Sequence, residues 1–177
     1  MVFPIDLVDN AAIELKSKNY FITEKEIRAI LHRRPQFGHK GTFGHALIIG
    51  GSEGMEGAAA LSGLACLRAG AGLTTITGTE KIIDFPELMQ IGFEDVEAFL
   101  KSKKINAIGI GPGLGKSENA KQLLQEILTT AKTPVVIDAD ALNIIAEDDN
   151  LFKLIPENSI LTPHPKEFER LFGKFSH

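Results

Sequence analysis

The chain has 177 residues, enough for one domain with a substantial core or for part of a larger one. Its 44% hydrophobic and 24% charged residues are those of a globular protein, and a formal charge of −4 gives no general reason to expect nucleic acid. No apolar run has the length of a membrane span, MVFPIDLVDN lacks the pattern of a secretory signal, and the lone Cys66 rules out an intrachain disulfide; a cytoplasmic protein with no nucleic-acid or membrane partner is expected.

Residues 1–22 read as a lead-in or linker, with a short helical stretch near Ala11–Leu15, and residues 23–177 as the domain proper. Thr23 and Glu26 have capping-box spacing ahead of Ile27, Ile30 and Leu31, which predicts a short helix stopped before Pro35. His32, Arg33, Arg34, His39 and Lys40 form a basic cluster, either a solvated linker or an aid to phosphate binding. A strand over 45–49 runs into the glycine loop Gly50, Gly51, Gly54 and Gly57. A helix then spans 58–69, with small Ala58, Ala59, Ala60 and Gly63 for close packing on a sheet. Gly70 and Gly72 close that helix, and LTTIT (73–77) is the next strand.

Lys81–Asp84 reads as a helical turn, and Pro86 marks a break before 88–91. Val96, Phe99 and Leu100 share a helical face, and 107–110 is a short strand entering GPGLG (111–115). Ser117 is placed to cap a helix with the apolar stripe Ala120, Leu123, Leu124, Ile127 and Leu128. Strand 135–137 ends in Asp138-Ala139-Asp140, where capping is a good role for Asp140. A helix carrying Leu142, Ile144 and Ile145 follows, then Ile160-Leu161, the TPHP turn and a last helix with Phe168, Leu171 and Phe172. Apolar strands alternating with helices predict an α/β fold with a mostly parallel sheet and helices on both faces. Four unusual loops, GGSEGMEG, GPGLG, DADALN and TPHPKE, then follow strands, at the end where such sheets hold ligands.

The glycine loops match no standard nucleotide motif. Gly111 to Gly115 encloses three residues where a phosphate-binding P-loop needs four, and Leu114 stands where the third glycine of a dinucleotide fingerprint belongs. His164 sits between two prolines that restrict its backbone. There is no zinc-ligand spacing and no G-x-S-x-G nucleophile.

Taken together, HKGTFGHALIIGGSEGMEGAA, CLRAGAGL, FPELM, GIGPGLG, VVIDADALN and ILTPHPKEFERLFG resemble the ADP- or ATP-dependent NAD(P)H-hydrate dehydratases, in family order from about Arg33 to Gly173. The resemblance implies a ribokinase-like fold and repair of hydrated nicotinamide cofactors. ADP or ATP, with Mg2+, would phosphorylate the ring hydroxyl of the S epimer, and phosphate would then leave as the double bond reforms. It further implies that Ala58, Gly113, Gly115, Asp138, Asn143 and His164 contact the NAD(P)H hydrate, that an epimerase is fused or separate, and that the protein is a homo-oligomer.

The chain departs from the pattern in one respect. Ribokinase-like enzymes carry a late glycine-rich motif ending in a Gly-Asp base, and no Gly-Asp pair occurs here. The catalytic residue is therefore unassigned. The expectation is the substrate-side part of a dehydratase domain, incomplete at the C-terminus and inactive alone. A vitamin-precursor kinase of the ribokinase superfamily and a non-catalytic binding module remain as alternatives.

Overall fold

A computed structural model describes residues 22–31, 34–79 and 85–174. The chain divides into two compact units, Met1–Phe37 and Gly38–His177. In the first, helix α1 (Glu24–Ile30) starts where Thr23 and Glu26 predict, the Glu26 carboxylate accepting the Thr23 N–H at 2.6 Å and its hydroxyl at 2.9 Å. Those two bonds hold the Glu26 carboxyl below its usual range. The expected helical stretch near Ala11–Leu15, the turn at Lys81–Asp84, and His32 and Arg33 of the basic cluster lie outside the described residues.

The second unit is built on six parallel strands: β1 (His45–Ile49), β2 (Leu73–Thr77), β3 (Met89–Ile91), β4 (Ala107–Ile110), β5 (Val135–Ile137) and β6 (Ile160–Leu161). Their order is β3-β2-β1-β4-β5-β6, so the chain starts at the centre and winds outward in both directions. Helix α2 (Glu56–Ala69) joins β1 to β2, and α3 (Val96–Ser102) precedes β4. Helix α4 (Glu118–Thr130) joins β4 to β5. Beyond β5 come α5 (Ala139–Glu147), α6 (Asp149–Lys153) and, after β6, α7 (Pro165–Phe172).

Helix α4 begins where its cap directs, whereas α2 begins at Glu56, two residues before the expected start. The Ser117 hydroxyl accepts the Ala120 N–H at 3.2 Å, capping α4, whose Ala120, Leu124, Ile127 and Leu128 are buried. They join Leu47, Ile49, Ile108, Ile110, Val135 and Ile137 in the main core, with contributions from α3, α5, α6 and α7. On the other face, the small residues of α2 allow the expected close approach: a Cβ on Gly63 would lie 2.6 Å from Ile76 Cγ2. Ala59 and Ala60 pack there with Ile48 and Ile76. At the amino end of β1, His45 donates its N–H to Asn106 Oδ1 at 3.0 Å, and its ring meets Phe99 edge-on.

Candidate functional site

The four loops singled out in the sequence leave the carboxyl ends of β1, β4, β5 and β6. The first two belong to the neighbouring strands at which the winding reverses, the place where an open parallel sheet parts to form a crevice. The loops interlock through their backbones. Gly51 and Ser52 donate their N–H groups to the carbonyls of Pro112 and Gly113 at 3.0 and 2.7 Å. A Cβ on Gly50 would stand 2.1 Å from the Pro112 oxygen, and one on Gly111 1.8 Å from the Asp138 oxygen, so no side chain fits at either position. Thr77, buried at the end of β2, anchors the first loop by accepting the Gly50 N–H at 2.8 Å and donating its hydroxyl to the Gly50 carbonyl at 2.7 Å.

One expectation needs correction here. Asp140 does not cap its own helix: Asp138 occupies the N-cap of α5, and the Asp140 carboxylate reaches across to accept the Gly115 N–H at 2.9 Å. It ties GPGLG to α5, and the exposed Lys116–Glu147 pair, 2.9 Å, lies beside it. That pairing holds the Glu147 carboxyl below its usual range. Asp138 likewise leaves its own helix uncapped. Its Oδ1 accepts the Thr162 hydroxyl at 2.8 Å, and no bond to its other oxygen occurs among the described residues.

Between these two aspartates, Ala139 has φ +48°, a left-handed conformation costing a residue with a Cβ about 1–2 kcal/mol. The Asn143 amide holds the strained segment by donating to the Ala139 carbonyl at 3.1 Å, while its oxygen accepts from Arg170 of α7. The amide is thus engaged at both ends. His164 is the N-cap of α7: its Nδ1 accepts the N–H groups of Lys166 and Glu167 at 3.1 and 3.4 Å, and its Nε2 lies 3.3 Å from the Glu167 carboxylate. The ring remains 56% exposed, whereas Glu167 is buried.

The expected site residues therefore form two adjoining groups. Ala58, on the first turn of α2, lies against the second glycine loop; a Cβ on Gly113 would be 3.1 Å from the Ala58 Cβ. Asp138, Asn143 and His164 line the neighbouring rim along α5 and α7. Asp140 joins the two groups through Gly115. A cavity of about 690 Å3 opens beside the first group, lined by Ser52, Thr79, Leu114, Gly115, Ser117 and Asn119 among others. Of the expected residues, only Gly115 borders it.

Glu56 opens α2 and is bonded to Thr79, which lines this cavity. Its carboxyl is held below the usual range by its own backbone N–H and by the Thr79 hydroxyl at 2.8 Å. A second concavity, about 590 Å3, lies at the opposite end of the sheet among Lys101, Lys103, Lys104 and Lys132. Its lysines lie in the last turn of α3 or just beyond the ends of α3 and α4, where cations suit the helix dipole.

Sequence reading included Gly57 in the first glycine loop, which the resemblance sets against the substrate's phosphates or ribose, without separating it from the other glycines. A Cβ at Gly57 would meet nothing within 4 Å, and its φ is not positive, so neither packing nor backbone geometry calls for glycine on the first turn of α2. The signal was present in GGSEGMEG, where all the glycines were read together. Among the described residues there is no group of three or more His, Cys, Asp or Glu that could hold a metal ion.

A parallel sheet of this order with a backbone-built crevice at its switch point defines a doubly wound α/β protein, and solved structures show it to be ribokinase-like. An Enterococcus faecalis ribokinase-like superfamily protein superposes with a TM-score of 0.74 at 29% identity, covering 88% of this chain and 59% of that one. The Bacillus subtilis ADP/ATP-dependent NAD(P)H-hydrate dehydratase, co-crystallised with ATP and Mg2+, gives 0.70 at 37% identity over 85% and 55% of the two chains. The family model for NAD(P)H-hydrate dehydratase matches residues 46–177, and the chain belongs to that family.

Among curated relatives, a bifunctional NAD(P)H-hydrate repair enzyme of Coxiella burnetii is 41% identical over 157 residues, 84% of this chain and 31% of that protein. The ADP-dependent (S)-NAD(P)H-hydrate dehydratase of Bacillus subtilis is 37% identical over 163 residues, 86% of this chain and 56% of that protein. The chain thus spans about half the length of a single-function relative and about a third of a bifunctional one.

Proposed function

We propose that residues 23–177 form the substrate-side part of an NAD(P)H-hydrate dehydratase domain and bind the S epimer of hydrated NADH or NADPH, with residues 1–22 as the lead-in. The observation that carries this reading is the interlocking of the family's four loops into one surface at the sheet's switch point. Ala58, Gly113 and Gly115 give the dinucleotide a surface of backbone and small side chains. The open position at Gly57 lets a phosphate approach the N–H groups at the start of α2. Asp138 offers its second oxygen to a substrate hydroxyl. Asn143 acts by holding Ala139 in place, and His164 by presenting an exposed imidazole from a fixed cap.

In the complete reaction the ring hydroxyl, a poor leaving group, loses its proton and takes the terminal phosphoryl group of the nucleotide, whose P–O bond breaks to release the shortened nucleotide; a C–H proton is then lost and phosphate departs as the C=C bond forms. ADP or ATP is the donor in this reading. The described residues do not fit a protein-built Mg2+ cage, so an accompanying ion would be held through the nucleotide's own phosphates, and no step is assigned to it from this chain. A cytoplasmic location, an epimerase partner, fused or separate, and a homo-oligomeric assembly belong to the same proposal. No helix among the described residues is long and apolar enough to cross a membrane.

Thermal unfolding with graded ligand tests the reading, because a ligand bound only by the folded state raises the midpoint, and goes on raising it with the logarithm of its concentration above Kd. The hydrate of NADH should raise it, whereas a hydroxymethylpyrimidine, a thiazole alcohol and AMP should not. The purified chain with ADP or ATP should convert no hydrate. A response to the alcohols alone would favour a small-molecule kinase.

A further inference from the structure

The concavity at the far end of the sheet, about 590 Å3, joins two features that seldom meet by chance. Its floor is aliphatic: Leu100, Ile105 and Ala131, which pack against the main core, line it together with the core residue Ile108. No aromatic side chain borders it among the described residues. Its rim is basic, with Lys101, Lys103, Lys104 and Lys132 set against the carboxylates of Glu97 and Glu126. Lys101 is paired with Glu97, one turn away on α3. The ammonium groups of Lys103, Lys104 and Lys132 make no ion pair or hydrogen bond with the described residues.

The helix ends account for only part of this charge. Each helix C-terminus carries at most roughly half a negative charge, so two of them offset about one of the two positive charges by which the lysines exceed the carboxylates. A net positive mouth is left over an aliphatic floor, in a chain whose formal charge is −4. Like charges held together repel, and an anion placed between them relieves that cost. Thr133, in the same wall, has a buried hydroxyl with no hydrogen-bond partner among the described residues, so the wall is also short of a polar contact.

We propose that this cavity binds a small amphiphilic anion, a phosphate monoester on a short aliphatic chain. The phosphate lies among Lys103, Lys104 and Lys132, whose three unpaired ammonium groups suit its double charge better than the single charge of a carboxylate. The chain lies along Leu100, Ile105 and Ala131, taking apolar surface out of water. A nucleobase finds no ring to stack on there, which sets this ligand apart from the dinucleotide proposed for the crevice. The site stands at the amino ends of β4 and β5, and the inference holds whether or not the crevice accepts a hydrated dinucleotide.

The test is titration calorimetry of the whole chain with hexyl phosphate at about 0.1 M salt. One molecule should bind per chain, about tenfold or more tightly than inorganic phosphate or hexanoate. Lys103→Gln, Lys104→Gln and Lys132→Gln together should weaken it about tenfold and move the unfolding midpoint of the free chain by only a few degrees. A charge-matched control, Lys25→Gln, Arg68→Gln and Lys153→Gln, changes exposed residues that do not border the cavity and should leave the affinity unaltered. Absence of saturable binding, equal affinity for inorganic phosphate or hexanoate, or an equal loss in the control overturns the proposal. So does cosedimentation with anionic phospholipid vesicles that the three cavity substitutions abolish, since the lysines would then face a membrane surface.

Discussion

The loops after β1 and β4 are both rich in glycine and use it differently. In the β4 loop every glycine faces protein: at Gly111 an added Cβ would strike the Asp138 carbonyl at 1.8 Å, and at Gly113 the Met55 carbonyl at 2.7 Å. In the β1 loop only the base is filled in this way, at Gly50 and Gly51, whereas Gly54 and Gly57 stand in open space. A glycine that touches nothing in a folded chain either relieves backbone strain or leaves room for something else. Gly54, at φ +77°, does the first; Gly57 does not need to. The contrast separates the glycines that build the crevice from the one that, in the proposed function, leaves room for a ligand.

Substitutions break the contrast in graded fashion. Gly111→Ala should cost more than about 3 kcal/mol, because backbone must move to admit the methyl, and should show as a collapsed denaturant midpoint or insoluble protein. Asp140→Ala removes the bond between the two groups of the site. It should cost about 1–2 kcal/mol in the same measurement, with faster hydrogen exchange at Gly115.

Gly54→Ala should cost about 1 kcal/mol from strain alone. Gly57→Ala should instead raise stability by about 0.5 kcal/mol through helix propensity, while abolishing the midpoint rise caused by hydrated NADH. A Gly57→Ala protein that still responds fully to the hydrate would make that glycine incidental.

The smallest effect concerns pH. Burial and nearby Lys103 push the His45 imidazole below its usual pKa. The folded state thus resists a proton that the unfolded state accepts, so stability is complete above the ordinary histidine range and falls as pH drops through it. His45→Gln should flatten unfolding midpoints measured across that interval and leave the hydrate response intact, since His45 lies at the amino end of β1, away from the crevice.

Much of this architecture was legible because its signals are local. Apolar strands bounded by glycines, the Ser117 cap and the small residues of α2 each announce their structure within a few positions. Asp140 misled for the same reason: its position suits a local cap, but its partner is Gly115, 25 residues earlier. Ala139 carries no mark of its left-handed backbone, which follows the Asp138 carbonyl packed closely on Gly111. His164 did have a local signature, with Pro165 at the first helical position and Glu167 two residues later, but histidine stands where serine or threonine usually caps.

The winding order bears on how such a sheet is assembled. Since β1 is the first strand made and lies between β2 and β4, a newly synthesised chain can close β1, α2 and β2 into a seed before the rest emerges. Strand β3 then adds to β2 on one edge and β4 to β1 on the other, after which β5 and β6 extend that second border, each pairing with the strand just before it. Growth in this order needs no earlier contact to be undone, and at each stage the outermost strand is the template for the next arrival.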